Sequence, residues 1–211
     1  MSPSSPGLSL YELDQFFMEQ GKIFQTLQRL SKCLPENGID YAIVGGIALF
    51  YHGYKRSTQD INVLLTKPGL LEFQTKMIGR GFLPMFPGAQ KTFRDTQTNI
   101  RIEFLIAGEF PGDGRPKPIC FPEPNSASIE VDKLRIIDLK NLIELKLASG
   151  LSAPDRLKDL ADVQELIRVL NLPESYGEQL DNSVCSEFHR LWQGVNQSKN
   201  SPIIESPIQY E

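Results

Sequence analysis

Three cysteines in 211 residues are too few to organise a fold. Cys33, Cys120 and Cys185 lie far apart, with neither a metal-ligand spacing nor a disulfide framework, which fits a reducing compartment. Long apolar runs are also missing: none approaches the roughly 20 residues that a membrane-spanning helix needs. Residues 1–20 carry Glu12, Asp14 and Glu19 and no basic stretch leading an apolar block, so no secretory signal is read there. A cytoplasmic protein without a membrane partner is expected. Basic excess is lacking as well. The formal net charge of −4 argues against a broad duplex-DNA surface, while a nucleotide held through a metal ion needs no such surface. There is no internal repeat.

What remains is ordinary globular material, 40% hydrophobic and 23% charged, enough for one good core with a small helical appendage. Residues 1–10, rich in Ser and Pro, read as a flexible leader. From Tyr11 to about Cys33, Leu13, Phe16, Phe17, Ile23, Phe24, Leu27 and Leu30 recur at helical spacing and predict an amphipathic helix, ended by Pro35 and Asn37-Gly38. Strands are expected at 41–44, 61–65 and 100–107, with shorter pieces at 81–83 and 91–95. Short helices are expected at 47–54 and 70–79. The Gly- and Pro-rich stretch 108–124 predicts an irregular loop, and 128–137 a hairpin around Asp132-Lys133. Then the pattern turns helical: 139–149 with Gly150 as the stop, a second helix opened by a Ser152 cap with Asp155 three residues on and running to about Leu170, and a third over 176–195 containing Trp192. The expected organisation is a mixed α/β (α+β) core over 11–137, a C-terminal helical region over 138–195 packed on it, and a disordered tail over 196–211.

Three pieces of this chain carry chemistry when taken together. Gly45-Gly46 stands between a strand and a helix, where glycine lets backbone approach a ligand closely and free N–H groups suit an anion. Asp60 and Asn62, two apart at a strand start, fall on one face and form a partial oxygen ligand set for a hard cation. Glu103 lies on the opposite face from Ile102 and Phe104, and a pairing of its strand with the Asp60 strand would bring it beside Asp60 and Asn62. Each piece alone also has a plain explanation: a turn, a surface acid, an acid on the wet face of an amphipathic strand paired with Arg101.

The run from Val44-Gly-Gly-Ile-Ala-Leu through His52-Gly-Tyr-Lys-Arg-Ser-Thr-Gln-Asp60-Ile-Asn62 resembles the signature of the nucleotidyltransferase superfamily. That signature is a glycine turn, a helix, an Asp-x-Asp strand and a later third acid. Among its branches the chain is similar to the AbiEii-like bacterial nucleotidyltransferases, some of them toxins or toxin-related, over about residues 38–170. The stretch Lys146-Leu-Ala-Ser-Gly through Arg156-Leu-Lys-Asp159-Leu-Ala-Asp162 is part of that likeness. The resemblance implies a nucleotidyltransferase-like mixed sheet flanked by helices and transfer of a nucleoside monophosphate from an NTP to an unknown acceptor (RNA, protein or small molecule). It implies Mg²⁺ or Mn²⁺ held by Asp60, Asn62 and Glu103, with Glu103 as metal ligand or base. Gly45, Gly46 and Lys146 would meet the phosphates, and Arg56 and Asp159 would stand near the nucleotide. The family's second strand acid is here Asn62, which removes one negative charge from the metal site. The alternative is therefore an inactive nucleotide-binding or regulatory protein of the same fold, with a cognate protein partner as in a toxin–antitoxin pair.

Other residues remain open between function and packing. His52, Lys55 and Arg56 could touch a nucleotide or be turn and packing residues. Arg94 or Arg101 could neutralise Glu103. Arg156 and Asp159, three apart, could pair on a solvated helix face that also carries Asp162. Phe82, Phe86 and Phe93 are read as core or loop packing.

Overall fold

A computed structural model describes residues 21–200. The expected leader and the helical pattern over 11–20 lie outside the described residues, as does the tail from residue 201. The first described helix, α1 (Lys22–Glu36), buries Ile23, Leu27, Leu30 and Leu34 on one face. It leads to β1 (Tyr41–Val44), α2 (Gly45–Tyr51), β2 (Asp60–Leu65) and α3 (Lys67–Met77). Next come β3 (Phe82–Pro84), β4 (Thr92–Asp95), β5 (Arg101–Ile106), β6 (Ser128–Val131) and β7 (Leu134–Ile137). Three helices follow: α4 (Leu139–Ser152), α5 (Leu157–Leu170) and α6 (Asn182–Asn200). Among the described residues no helix is long and apolar enough to cross a membrane.

The strands form one mixed seven-stranded sheet in the order β3-β4-β5-β2-β1-β7-β6. β2 is central. It runs antiparallel to β1 and parallel to β5, with Val44 opposite Asn62 and Asn62 opposite Glu103. Because strand side chains alternate, burying Ile61, Val63, Ile102 and Phe104 on one face sends Asp60, Asn62 and Glu103 to the other. On the buried side Phe73 of α3 meets the rings of Phe82, Phe93 and Phe104 at centroid distances of 5.4, 5.2 and 4.6 Å, each pair worth about 0.5–1.5 kcal/mol beyond area burial. Phe86 stays exposed. α1 is tied to the β4–β5 turn by buried Asp95, which pairs with Arg29 and accepts the Thr26 hydroxyl at 3.1 Å.

α4 is buried continuously from Leu142 to Gly150, so it lies inside the molecule, with α5 and α6 packed against it. Here the sequence expectation needs correction. Gly150 does not end the helix; a Cβ there would come within 2.5 Å of Leu160 Cδ2, so its role is to let α5 cross close. The helix ends instead at Ser152, because Ala153 precedes Pro154 and is extended (φ −157°, ψ 144°). Ser152 is thus not an N-cap; its hydroxyl donates to the Ser149 carbonyl at 2.6 Å and accepts the Asp113 N–H at 3.2 Å, pinning the 108–124 loop.

Three further boundaries differ. α1 passes through Pro35 before Asn37 closes it. α6 begins at Asn182 rather than 176, after a 3-10 segment Glu174–Gln179, because Asp181 accepts the Ser183 N–H at 2.9 Å and restarts the chain as a helix. It also continues to Asn200, through positions expected to belong to the tail.

Candidate functional site

β1 delivers the chain directly into Gly45, whose φ of +65° is left-handed backbone that glycine adopts without strain. A Cβ at Gly45 would come within 2.9 Å of the Asn62 amide nitrogen, and one at Gly46 within 2.8 Å of the Thr58 hydroxyl. The close approach that these glycines permit is therefore first to Asn62 and Thr58 of the same chain. α2 is only seven residues long, with no side-chain cap bond, too short for much of a macrodipole. The turn contributes tight backbone placement beside the β2 acids. Thr58, buried and not anticipated from sequence, orients Asp60 by placing its hydroxyl 3.3 Å from Asp60 Oδ1 and 3.2 Å from the Asp60 carbonyl.

Above this turn opens a cleft of about 890 Å³. The residues that the resemblance assigns to the site all line it: Gly45, Gly46, Arg56, Asp60, Asn62, Glu103, Lys146 and Asp159. One wall is the β2–β5 pair. There Asp60, Asn62 and Glu103 share a face, and Arg101 reaches Glu103 Oε2 at 3.2 Å. Arg94 turns away to Asn99. A second acid–base pair that the sequence did not flag, Lys91 with Glu109 at 2.6 Å, stands on the same cleft. It joins β4's approach to the 108–124 loop, a long-range contact with no sequence signature.

The opposite wall comes from α4 and α5 and is built differently. Lys146 Nζ donates to Asp159 Oδ1 at 2.9 Å and to Asp162 Oδ2 at 2.6 Å. Asp162 is also met by Arg56: Nη2 donates to Oδ2 at 3.2 Å, and Nε lies 3.0 Å from Oδ1 without an aligned hydrogen bond. The Ser149 hydroxyl donates to Asp159 Oδ2 at 2.7 Å. Burial works against ionisation of Asp159, but the Lys146 charge and hydrogen bond, with the Ser149 hydroxyl, outweigh it and hold the carboxyl below its ordinary value.

Two sequence expectations change here. Asp162, read as part of a solvated face, is 2% exposed. Asp159 hydrogen-bonds Lys146 and Ser149, while Arg156 acts on it only through charge. Arg156 and Lys158, exposed at the mouth, also line the cleft.

Two other residues fall away from the site. His52 Nε2 lies 2.8 Å from the Ile137 carbonyl oxygen, a packing tether between the end of α2 and β7. Lys55 is exposed and does not line the cleft. Among the described residues no three His, Cys, Asp or Glu side chains converge as a metal cluster. The oxygen donors that β2 and β5 present to the cleft are the Asp60 and Glu103 carboxylates and the Asn62 amide, a set that suits a hard ion such as Mg²⁺ more than a soft one.

No protein-family model matches the chain, and no curated protein matches it. Solved structures do. An antigenic nucleotidyltransferase-like protein from Paracoccidioides brasiliensis is similar with a TM-score of 0.51 at 15% identity, over 92% of this chain and 91% of its own. ANT(2'')-Ia, solved in complex with adenylyl-2''-tobramycin, is similar with a TM-score of 0.49 at 12% identity, over 82% of this chain and 97% of its own. The mixed seven-stranded sheet flanked by helices is a nucleotidyltransferase-like fold.

Proposed function

We propose that the cleft transfers a nucleoside monophosphate from an NTP to a nucleophilic acceptor. The observation that carries this reading is the cross-strand row Val44–Asn62–Glu103, with Asp60 two residues along the same face and the Gly45-Gly46 turn packed against it. Asp60 and the Asn62 amide oxygen would hold Mg²⁺ or Mn²⁺, leaving Glu103 as the base. When bound, such an ion neutralises charge on the phosphates and aligns the attacking oxygen. Glu103 takes the proton from the acceptor hydroxyl as the new oxygen–phosphorus bond forms at the α-phosphorus and the bond to pyrophosphate breaks. Arg101, paired with Glu103 at 3.2 Å and exposed, is free to re-pair with a ligand phosphate. The AbiEii-like branch and a bacterial source belong to the same reading, supported by the sequence resemblance of the glycine turn and the Lys146–Asp162 stretch; a cytoplasmic location is supported by the sparse, scattered cysteines, and a cognate protein partner belongs to the non-catalytic alternative.

Incubation with labelled NTPs, Mg²⁺ or Mn²⁺ and pools of RNA, protein and small hydroxylated acceptors is expected to give transferred label. Asp60→Ala is expected to lower transfer by about 100-fold or more, since losses even among groups that only support metal ligands cost 10- to 100-fold. Nucleotide-dependent melting shifts with no label moved in any pool would favour the non-catalytic reading that Asn62 suggests. Flat melting for every NTP with metal would overturn both.

A further inference from the structure

At the helical wall Lys146 of α4, joined by Arg56 from the segment before β2, meets two carboxylates of α5, Asp159 and Asp162, and the carboxylates are not equivalent. Asp162 is interior: its side chain is 3% exposed, and it contacts both Lys146 and Arg56. It is absent from the cleft lining, whereas Asp159 is part of it and its side chain is 21% exposed. Both groups that bond Asp159, the Lys146 ammonium and the Ser149 hydroxyl, are donors that a phosphate oxygen accepts equally well. Arg56 also has capacity to spare. Its Nη1 makes only a 3.4 Å contact to the Ser57 carbonyl, while its Nε is buried against Asp162 Oδ1 at 3.0 Å.

We propose that Asp159 holds the place of an anionic ligand on Lys146, while Asp162 fixes Lys146 and Arg56 as a two-cation seat for that ligand's phosphates. The proposal rests on the nucleotidyl-transfer reading and names which groups meet the polyphosphate and which carboxylate must give way. The physical need is plain. Lys146, whose side chain is 8% exposed, shares Asp162 with Arg56, and an incompletely compensated buried charge is strongly destabilising. Asp159 supplies compensation until a more highly charged anion arrives. Asp162, out of reach of the ligand, keeps both cations aimed at the cleft throughout. The two aspartates, three residues apart on one helix face, therefore act on anion affinity with opposite sign.

The test is calorimetric titration of the full chain with inorganic tripolyphosphate without metal, and with ATP–Mg²⁺, at low salt. Asp159→Asn is expected to bind tripolyphosphate about threefold or more tightly than wild type, the scale of removing a partly exposed ion-pair competitor. Asp162→Asn is expected to weaken binding about tenfold or more. Should Asp162→Asn fail to fold, Arg56→Gln takes its place with the same expected direction. Wild-type protein that binds either probe, with Asp159→Asn no tighter, overturns this inference alone; so does unchanged binding in Asp162→Asn or its substitute. Absence of binding by every variant to both probes overturns this inference and the nucleotidyl-transfer reading together.

Discussion

On the sheet wall of the cleft, Arg101 and Glu103 meet at 3.2 Å with side chains 47% and 37% exposed; on the helical wall, Lys146 and Asp162 meet at 2.6 Å with 8% and 3%. The same two kinds of charge thus serve two purposes. An exposed pair is worth little to stability because water screens it and side-chain entropy opposes it, so the sheet wall can re-pair with a ligand at small cost. A buried pair is weakly stabilising as a pair but severely destabilising when halved. The sheet wall is where pairs change at least cost; on the helical wall the buried Lys146–Asp162 pair keeps its place.

The contrast breaks most readily at Lys146. Lys146→Met leaves Asp162 buried with Arg56 alone and Asp159 with the Ser149 hydroxyl and the more distant charge of Arg156, and a loss of about 3–5 kcal/mol is expected, read from the urea midpoint at constant slope. A loss below 1 kcal/mol would make the two walls alike and remove the distinction. Acid acts next. Asp159 has a depressed carboxyl pKa in the folded state, so the stability it contributes is complete above the unfolded value near 3.8 and disappears as pH falls through the lower folded value. Wild type should therefore lose stability more steeply than Asp159→Asn when melting is followed from pH 5 down to pH 2; parallel curves would contradict this. The smallest effect is expected on the sheet wall, where Arg101→Gln should change folding stability by about 0–1 kcal/mol while altering transfer at Glu103, two readouts that the first variant does not separate.

Much of the sheet wall was legible in the sequence. Alternation alone put Asp60 and Asn62 on one face and Glu103 on the polar face of its strand, because each strand buries its other side among Ile and Phe. The pairing of Asn62 with Glu103 was conditional at that level, since register between strands 41 residues apart in sequence is set by the core they jointly cover. The helical wall was far less legible. Spacing says which residues of α5 share a face, and nothing about what covers it, so Asp162 read as solvated when α4 in fact lies over it. Gly150 misled for a related reason: a glycine after an apolar helical run looks like a terminus, whereas its missing side chain answers to Leu160, ten residues on. Thr58 and the Lys91–Glu109 pair had no signal at all: the packing of Thr58 under Gly46 and the Lys91–Glu109 contact are tertiary meetings of common polar residues.

That glycine has a mechanical consequence for the chemistry. Leu160 sits between Asp159 and Asp162 on α5, so any carbon added at position 150 would wedge α5 outward and carry both carboxylates with it. Gly150 is in effect a spacer of zero thickness, calibrating from one turn along the same face of α4 how deeply two acids reach toward Lys146.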